Sequence, residues 1–585
     1  MRFARRHSVG VTCIIIFIAC IIGAITRITP LTHYAQFDLD AARDAYIYAM
    51  MRTGHISPNV YIDRGHDAMG YATVWKGSWP TLGPVIPTGW LPLHLPPLYY
   101  YLVFPFTFLG PNPTWAALPD ALFSFLTIPL VMLIAYRLLR GSPHSRRIFL
   151  AAAAGLWQSL LFTEIAEGSM AWNPSSIPFF SLLFALVSAS VVQRAKLDRV
   201  ALLLWGLLGF LLAILVSLHG QTLYTMPFVF IAVCVAFITR TAIRNGKAYA
   251  GKACALIAVS LLVAAACLTP YWYGESRTHW QNTKAIVGFP ALRAEIISTP
   301  DKMRNMLRSY RWLGTEEYFI GSNALGQVAA LIFLLCIIPL SLMTFRGDRI
   351  LLSVLLSTWI MYFIAIMSQP PYDIRFRLLI SAMPLFLSIS CAAFLNYNTF
   401  LGRLTGCLLA LGILISMACN LSEDTLFLRD RLGPSRFAAV SDVITAFRHI
   451  PQGSDVCDLR LSTITPDRYI DEYVTRRNLQ LSTQCRPGGY AIVPIFIGSA
   501  PGMAGMLQDY MPDNSDYENL PIKFGGLIAG PAVPENARIL EKTDALILSY
   551  IPCAPSLPNL PTHIQKQRAI ATARPIEQPT TCPEK

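Results

Sequence analysis

Apolar residues in this chain come in long unbroken blocks, without the spaced stripe of a surface helix or the alternation of a half-buried strand. Such blocks lie near 9–26, 118–137, 148–166, 177–193, 200–218, 222–239, 253–270, 324–344, 350–368, 378–395 and 404–420. Each is about 17–22 residues long, which as a helix crosses a hydrocarbon core of roughly 30 Å. The pattern predicts an α-helical polytopic membrane protein with about 11 transmembrane helices. The stretch PPLYYYLVFPFTFLG (96–110) is apolar too, but short and broken by Pro105. The first block, VGVTCIIIFIACIIGAI after MRFARRH, is too long for a signal-peptide core and has no small-residue cleavage site behind it. It reads as an uncleaved first span.

Charge assigns the sides. RLLRGSPHSRR (137–147), QRAKLDR (193–199), RTAIRNGKAYAGK (240–252) and RGDR (346–349) are basic, as is MRFARRH. Basic connections stay in the cytoplasm, and these alternate consistently only if 96–110 does not cross. That segment is therefore expected as a re-entrant or juxtamembrane helix on the outer side. The N-terminus is then cytoplasmic and the C-terminus outside. Segments 27–117 and 271–323, the turns near 168–176, 219–221 and 369–377, and the tail from 421 all face outward.

The tail changes character. SRFAAVSDVITAFRHI reads as a helix, and DVCDLRL, YAIVPIFI and ALILSY read as strands. A small C-terminal α/β extracytoplasmic domain over 421–585 is expected to follow a transmembrane domain over 1–420, with a Pro-rich end beyond about 555.

Composition agrees with this reading. Of 585 residues, 54% are hydrophobic and 14% charged, against about a quarter charged in soluble domains. The net charge of +13 is explained by the cytoplasmic connections, so nucleic acid is not an expected partner. Cys457, Cys485, Cys553 and Cys582 fall in the outer tail, where one or two disulfides are possible and three full pairings are open. The other nine cysteines show no metal-ligand spacing. No internal repeat, Walker loop or dinucleotide fingerprint is present.

The candidate chemistry gathers on the outer side. FDLDAARDAYIYAMM (37–51) follows the first span, with Asp38 as a possible helix N-cap and Gly54 as a stop. On that helix Asp40, Asp44, Ile47 and Met51 share a face beside Arg43. The alternative is a solvated, capping face. His94, Asn173 in WNPSS, His219 and Gln221 in SLHGQTLY, Glu275 after PYWYG, Asn282 in QNT, and Arg375 and Arg377 in QPPYDIRFR all fall on the same side. Arginine there runs against the charge bias and fits a phosphate headgroup. Tyr71, Trp75, Trp79, Trp90 and Tyr99 to Tyr101 suit sugar stacking or an interfacial belt. Carboxylates, amides, a histidine and arginines at one membrane face suit sugar transfer from a polyprenyl-phosphate carrier. There a carboxylate takes the acceptor proton and cations meet the charge on the departing phosphate.

The chain resembles the GT-C superfamily of membrane glycosyltransferases, in the branch of protein O-mannosyltransferases and lipid A aminoarabinose transferases. It looks closest to bacterial members with a D-x-A-R-D-A signature after the first helix. The matching pieces are DAARDA (40–45), LGP (82–84), PPLYYYL (96–102), WNPSSIPFF (172–180), HGQ (219–221), PYWYGE with QNT (270–283) and RFRLLISAMP (375–384), in family order over about residues 1–395. The resemblance implies a GT-C-like fold with outer juxtamembrane helices in the bacterial inner membrane. It implies an inverting transferase with Asp40 as catalytic base, Asp44 sharing its role, and Glu275 as a second acidic residue. Arg375 or Arg377 would contact the carrier phosphate. The outer-side constellation itself makes Arg43, His94, Tyr99, Asn173, His219, Gln221 and Asn282 the further candidates for binding substrate. The donor would be a polyprenyl-phosphate sugar and the acceptor a lipid, glycan or protein, with no cofactor and no metal. The oligosaccharyltransferase branch, by contrast, uses a divalent cation. Where relatives carry Glu directly after the catalytic Asp, this chain has Ala41. Two other readings stand beside it: a transporter or flippase of lipid-linked sugars, and a glycan polymerase or ligase.

Overall fold

The computed structural model describes residues 2–32, 39–55, most of 75–288, 347–367, 384–386, 389–391, 400–432, 440–458, 468–482, 490–494, 538–542 and 546–550. The block at 324–344 lies outside these residues, and most of that at 378–395 does too.

The chain is an α-helical polytopic membrane protein. Its principal helices are α1 (Arg2–Thr32), α2 (Leu39–Thr53), α3 (Leu98–Val103), α4 (Pro113–Leu138), α5 (His144–Ser159), α6 (Ile177–Gln193) and α7 (Arg199–Leu218). They continue with α8 (Gly220–Asn245), α9 (Ala250–Cys267), α10 (Thr269–Arg277), α11 (Arg349–Met367) and α12 (Phe400–Leu432). Among the described residues six helical segments are long and apolar enough to cross a membrane. They are Gly10–Leu31, Pro113–Leu138, Asn173–Gln193, Arg199–Leu218, Gly220–Asn245 and Ala250–Cys267. Their backbone groups pair within each helix, as hydrocarbon demands. The stretch at 96–110 forms α3 and a tighter 3₁₀ turn over Phe104–Leu109. Twelve residues are too few to span, as the charge alternation requires.

Two compact units share the chain. One contains Met1–Leu31, Ile47–Gly110 and Thr114–Phe427; the other contains Thr32–Tyr46, Pro111–Pro113 and Leu428–Lys585. In the first unit α7 packs on α9, α6 and α8, and α11 packs on α8 and α6. The α7–α9 approach depends on Gly209, where a Cβ would stand 2.0 Å from the Ser260 carbonyl oxygen. Small residues at such crossings let backbones close in where lipid supplies no hydrophobic drive between helices.

The first unit also carries two short antiparallel pairs, β1 (Trp75–Lys76) with β2 (Trp79–Pro80) and β3 (Val85–Ile86) with β4 (Leu93–His94). In the second unit five strands form one mixed sheet: β5 (Asp455–Asp458), β6 (Gln480–Ser482), β7 (Tyr490–Pro494), β8 (Arg538–Lys542) and β9 (Leu546–Tyr550), in the order β6-β5-β7-β9-β8. β5 runs parallel to β6 and β7, whereas β9 is antiparallel to β7 and β8. Helix α13 (Val440–His449) buries Val443, Ala446 and Phe447 on one face, with Ile450 just past its end. β5, β7 and β9 match the strands expected from the tail. β6 and β8 went unanticipated, because one is three residues long and the other, RILEK, is a charged edge strand without an apolar run. Cys485, Cys553 and Cys582 lie outside the described residues, as does the side chain of Cys457, so the disulfide expectation does too.

Candidate functional site

Helix α2 ends at Gly54, whose φ of +74° is left-handed and whose N–H reaches the Met50 carbonyl at 2.9 Å. Every residue from Asp44 to Met51 is buried, and Asp44 has no exposed surface. The helix therefore shows water no polar face there, unlike the solvated alternative. Arg43 donates from Nε to Asp44 Oδ1 at 2.9 Å, and a terminal guanidinium nitrogen stands equally close. Asp40 lies on the same helix one turn earlier, with its side chain outside the described residues. Two residues after Asp44, Tyr46 packs edge-on against Tyr469 and Tyr473, at centroid distances of 5.3 and 5.7 Å. Burial pushes the Tyr46 phenol far up, and the nearby Glu472 charge adds to this, so it stays protonated. Tyr469 in turn donates to the Pro111 carbonyl at 2.8 Å.

The transmembrane unit holds three polar groupings where α1, α5, α7 and α9 finish and α4, α6 and α8 begin. Antiparallel alternation of these helices sets them at one end of the bundle. The first centres on Asp120, fully buried in the second turn of α4. Its carboxylate accepts from Tyr99 Oη at 2.7 Å, from the Trp172 N–H at 3.2 Å and from the Ser176 hydroxyl. Asn173, in the same Asn173–Ser176 3₁₀ turn, donates its amide to the Leu218 carbonyl at the end of α7. The next residue, His219, caps α8 by accepting the Gln221 N–H at Nδ1, 3.3 Å away. Tyr99, Asn173, His219 and Gln221 thus belong to one connected region. Gln221 itself is fully buried, and neither atom of its side-chain amide has a partner among the described residues. Such an amide ordinarily meets water or a ligand.

The second grouping joins α10 to the segment between α2 and α3. Asn282 accepts the His94 N–H at 2.6 Å, and its amide donates to the His94 carbonyl at 2.8 Å and to Tyr271 Oη at 3.1 Å. The His94 ring stands 3.1 Å from the Gly83 carbonyl through Nδ1. Glu275, also without exposed surface, accepts the Thr283 N–H at 2.8 Å. His94, Asn282 and Glu275, far apart in sequence or loosely spaced, are therefore neighbours through this brace. Burial raises the Tyr271 phenol, the Thr283 hydroxyl bond opposes this, and the Glu275 charge adds to it; the net direction is upward. Of the aromatics, Trp79 stacks on Tyr101 at 5.9 Å, and Tyr101 donates to the Pro80 carbonyl at 2.6 Å.

The third grouping is Arg27, fully buried near the end of the first span. It donates to Ser124 Oγ at 2.9 Å and to the Gln158 and Ser159 carbonyls at 3.0 Å each. Neither Asp120 nor Arg27 was among the residues singled out by sequence. The available signal was a charged residue inside an otherwise apolar span, which is expensive unless it has work. Arg375 and Arg377 lie outside the described residues.

No protein-family model matches the chain, and no curated protein matches it in sequence. Among solved structures it is similar to ArnT from Cupriavidus metallidurans bound to undecaprenyl phosphate, at 10% identity and a TM-score of 0.47, over 92% of this chain and 98% of that one. The apo state of the same protein matches at 10% identity and 0.44, over 93% and 98%. It is similar as well to the archaeal oligosaccharyltransferase AglB from Archaeoglobus fulgidus, in complex with an inhibitory peptide and a dolichol-phosphate, at 13% identity and 0.41. That match covers 80% of this chain, which spans 64% of the archaeal protein's length.

Proposed function

We propose that this chain is a GT-C-like integral membrane glycosyltransferase, moving a sugar from a polyprenyl-phosphate carrier to an acceptor at the outer face of the bacterial inner membrane. The observation that carries the reading is the Arg43–Asp44 pair on the helix after the first span, its carboxylate fully buried and its guanidinium largely so. A buried ion pair is poor value as a stabilising device, because desolvating both charges offsets most of their attraction. It suits a carboxylate kept dry for proton transfer. The order of the sequence motifs from DAARDA to RFRLLISAMP supports the same reading, as does the buried Gln221 amide, which has no partner among the described residues.

In this mechanism the Asp40 carboxylate takes the proton of the acceptor nucleophile, with Asp44 supporting it. The freed electron pair attacks the anomeric carbon from the face opposite the carrier. The carbon–oxygen bond to the phosphate breaks and its electrons leave on the lipid phosphate, inverting the sugar. Glu275 is the second acidic residue of the site. Arg375 and Arg377 neutralise the departing phosphate, a type of electrostatic help that is often the largest single contribution to such a reaction. General-base help alone is worth about 10²–10⁴-fold.

The test is lipid mass spectrometry on the native host, comparing wild type, deletion, Asp40→Asn and Asp44→Asn strains at matched membrane abundance. Polyprenyl-phosphate sugar accumulating in the deletion and Asp40→Asn strains, with one sugar missing from an envelope glycan, is the expected result. Accumulation in the deletion and Asp44→Asn strains, with Asp40→Asn normal, would move the base to Asp44. No change in any strain would overturn the carrier reading.

A further inference from the structure

A second charged cluster lies at the opposite end of the bundle, where α4, α6 and α8 finish and α11 begins. Asp348 is its only carboxylate among the described residues, and it is fully engaged. It accepts from Arg137 Nε at 3.0 Å, from the Leu351 N–H at 3.0 Å and from the Gln193 amide, with its side chain 2% exposed. Arg137 further donates to Ser190 Oγ at 2.7 Å and to Gln193 Oε1 at 2.9 Å. These bonds tie the ends of α4 and α6 to the start of α11, and they use up the one negative charge.

Three more arginines surround this knot with little to bind. Arg140 stands 3.9 Å from Asp348, more than half exposed. Arg244 has one long bond, 3.4 Å to the Gln193 carbonyl. Arg240, on α8 one turn before Arg244, is within electrostatic range of both Arg244 and Asp348. It makes no hydrogen bond or ion pair among the described residues, and its Nε is closed off from solvent. Arg140 and Arg240 thus share one carboxylate that Arg137 already satisfies, and Arg244 adds a like charge beside Arg240.

The charge bias of membrane proteins explains basic residues in water-facing connections at this end. It does not explain a guanidinium nitrogen withdrawn from water without an acceptor, beside a like charge; both features carry a cost. An anion among the three arginines removes both costs. Guanidinium forks match the oxygens of a phosphate, and basic recesses between helix ends are where lipid phosphates dock.

We propose that Arg140, Arg240 and Arg244 form a phosphate-binding site at the basic end of the bundle, taking the headgroup of an anionic phospholipid or a free phosphate. The site is separate from the sugar-transfer reading and stands or falls independently of it.

Native mass spectrometry of the detergent-purified full chain tests this, titrated with phosphatidylglycerol, phosphatidylcholine or inorganic phosphate. Because Arg240 makes no hydrogen bond or ion pair among the described residues, Arg240→Gln is expected to fold as wild type does, and Arg240→Lys retains the charge as a second check. The expected result is saturable phosphatidylglycerol binding, with none for phosphatidylcholine. Arg240→Gln and Arg140→Gln should each weaken it about tenfold, the scale of one charge-assisted hydrogen bond, and Arg240→Lys by less. The exposed Arg199→Gln should leave binding unchanged. Inorganic phosphate bound with the same sensitivity to Arg240→Gln would support the site with free phosphate as its source. Phosphatidylglycerol binding that is indifferent to Arg240→Gln and Arg140→Gln, or weakened equally by Arg199→Gln, would overturn the proposal.

Discussion

Replacing Asp120 with alanine removes the acceptor of three donors at once: the buried Tyr99 and Ser176 hydroxyls and the half-buried Trp172 N–H. A buried donor left without a partner costs about 1–3 kcal/mol. Full cost at all three positions would be roughly 3–9 kcal/mol, and local relaxation lowers it, so ~3 kcal/mol is the expected loss. That is a large share of a net stability of about 5–15 kcal/mol. Asp120→Asn keeps the shape and one carbonyl oxygen, and the hydroxyls of Tyr99 and Ser176 can turn to accept from its amide, so ~1 kcal/mol is expected. Thermal unfolding of the purified protein in one detergent compares these variants with Tyr99→Phe and with the Asp120→Asn/Tyr99→Phe double variant. A coupling above ~0.5 kcal/mol is expected for residues in contact. If Asp120→Ala unfolds with wild type, or the pair is additive, the carboxylate does not hold this end of the bundle together.

Asp348 gives a pH dependence. Burial pushes its pKa up, but the hydrogen bonds from Gln193, the Leu351 amide and Arg137 outweigh it, and the net direction is downward. A depressed carboxylate contributes stability that is complete above its ordinary value of about 4 and is lost as pH falls through the lower folded value. Acid unfolding followed between neutral pH and that range should show a loss that Asp348→Asn abolishes; an unchanged acid limb in the variant would contradict this. Arg377→Ala should weaken donor binding, measured by titration with a polyprenyl-phosphate sugar, and unchanged affinity would remove its phosphate role. Chelators should leave sugar transfer intact, and inhibition reversed by added divalent cation would contradict a metal-independent mechanism.

Much of the fold was legible in the chain because hydrocarbon is an unforgiving solvent. A block of about 20 apolar residues has few stable choices besides a helix, and α4, α6, α7, α8 and α9 follow their blocks closely. The short, Pro-broken segment at 96–110 was also readable, since twelve helical residues cannot reach across. Strands β7 and β9 carry apolar runs of their own, and β5 opens the DVCDLRL stretch read as a strand. Local signals extended to the site as well: a helix after the first span, stopped at Gly54.

What the sequence determined, then, was which segments form long apolar helices and where the tail turns to α/β. Tertiary structure alone decided which polar residues meet. Asn282 holds the backbone of His94 across 188 positions, and Arg137 pairs with Asp348 across 211. Neither choice has a local signature, because each is set by which helix ends pack together. Folding also buries Asp44 where a short polar helix alone would have left it in water, and helix packing gathers three donors on Asp120, a lone charge in an apolar run. Periodicity and length are properties of a segment, whereas the desolvation and pairing of a charge belong to everything folded around it.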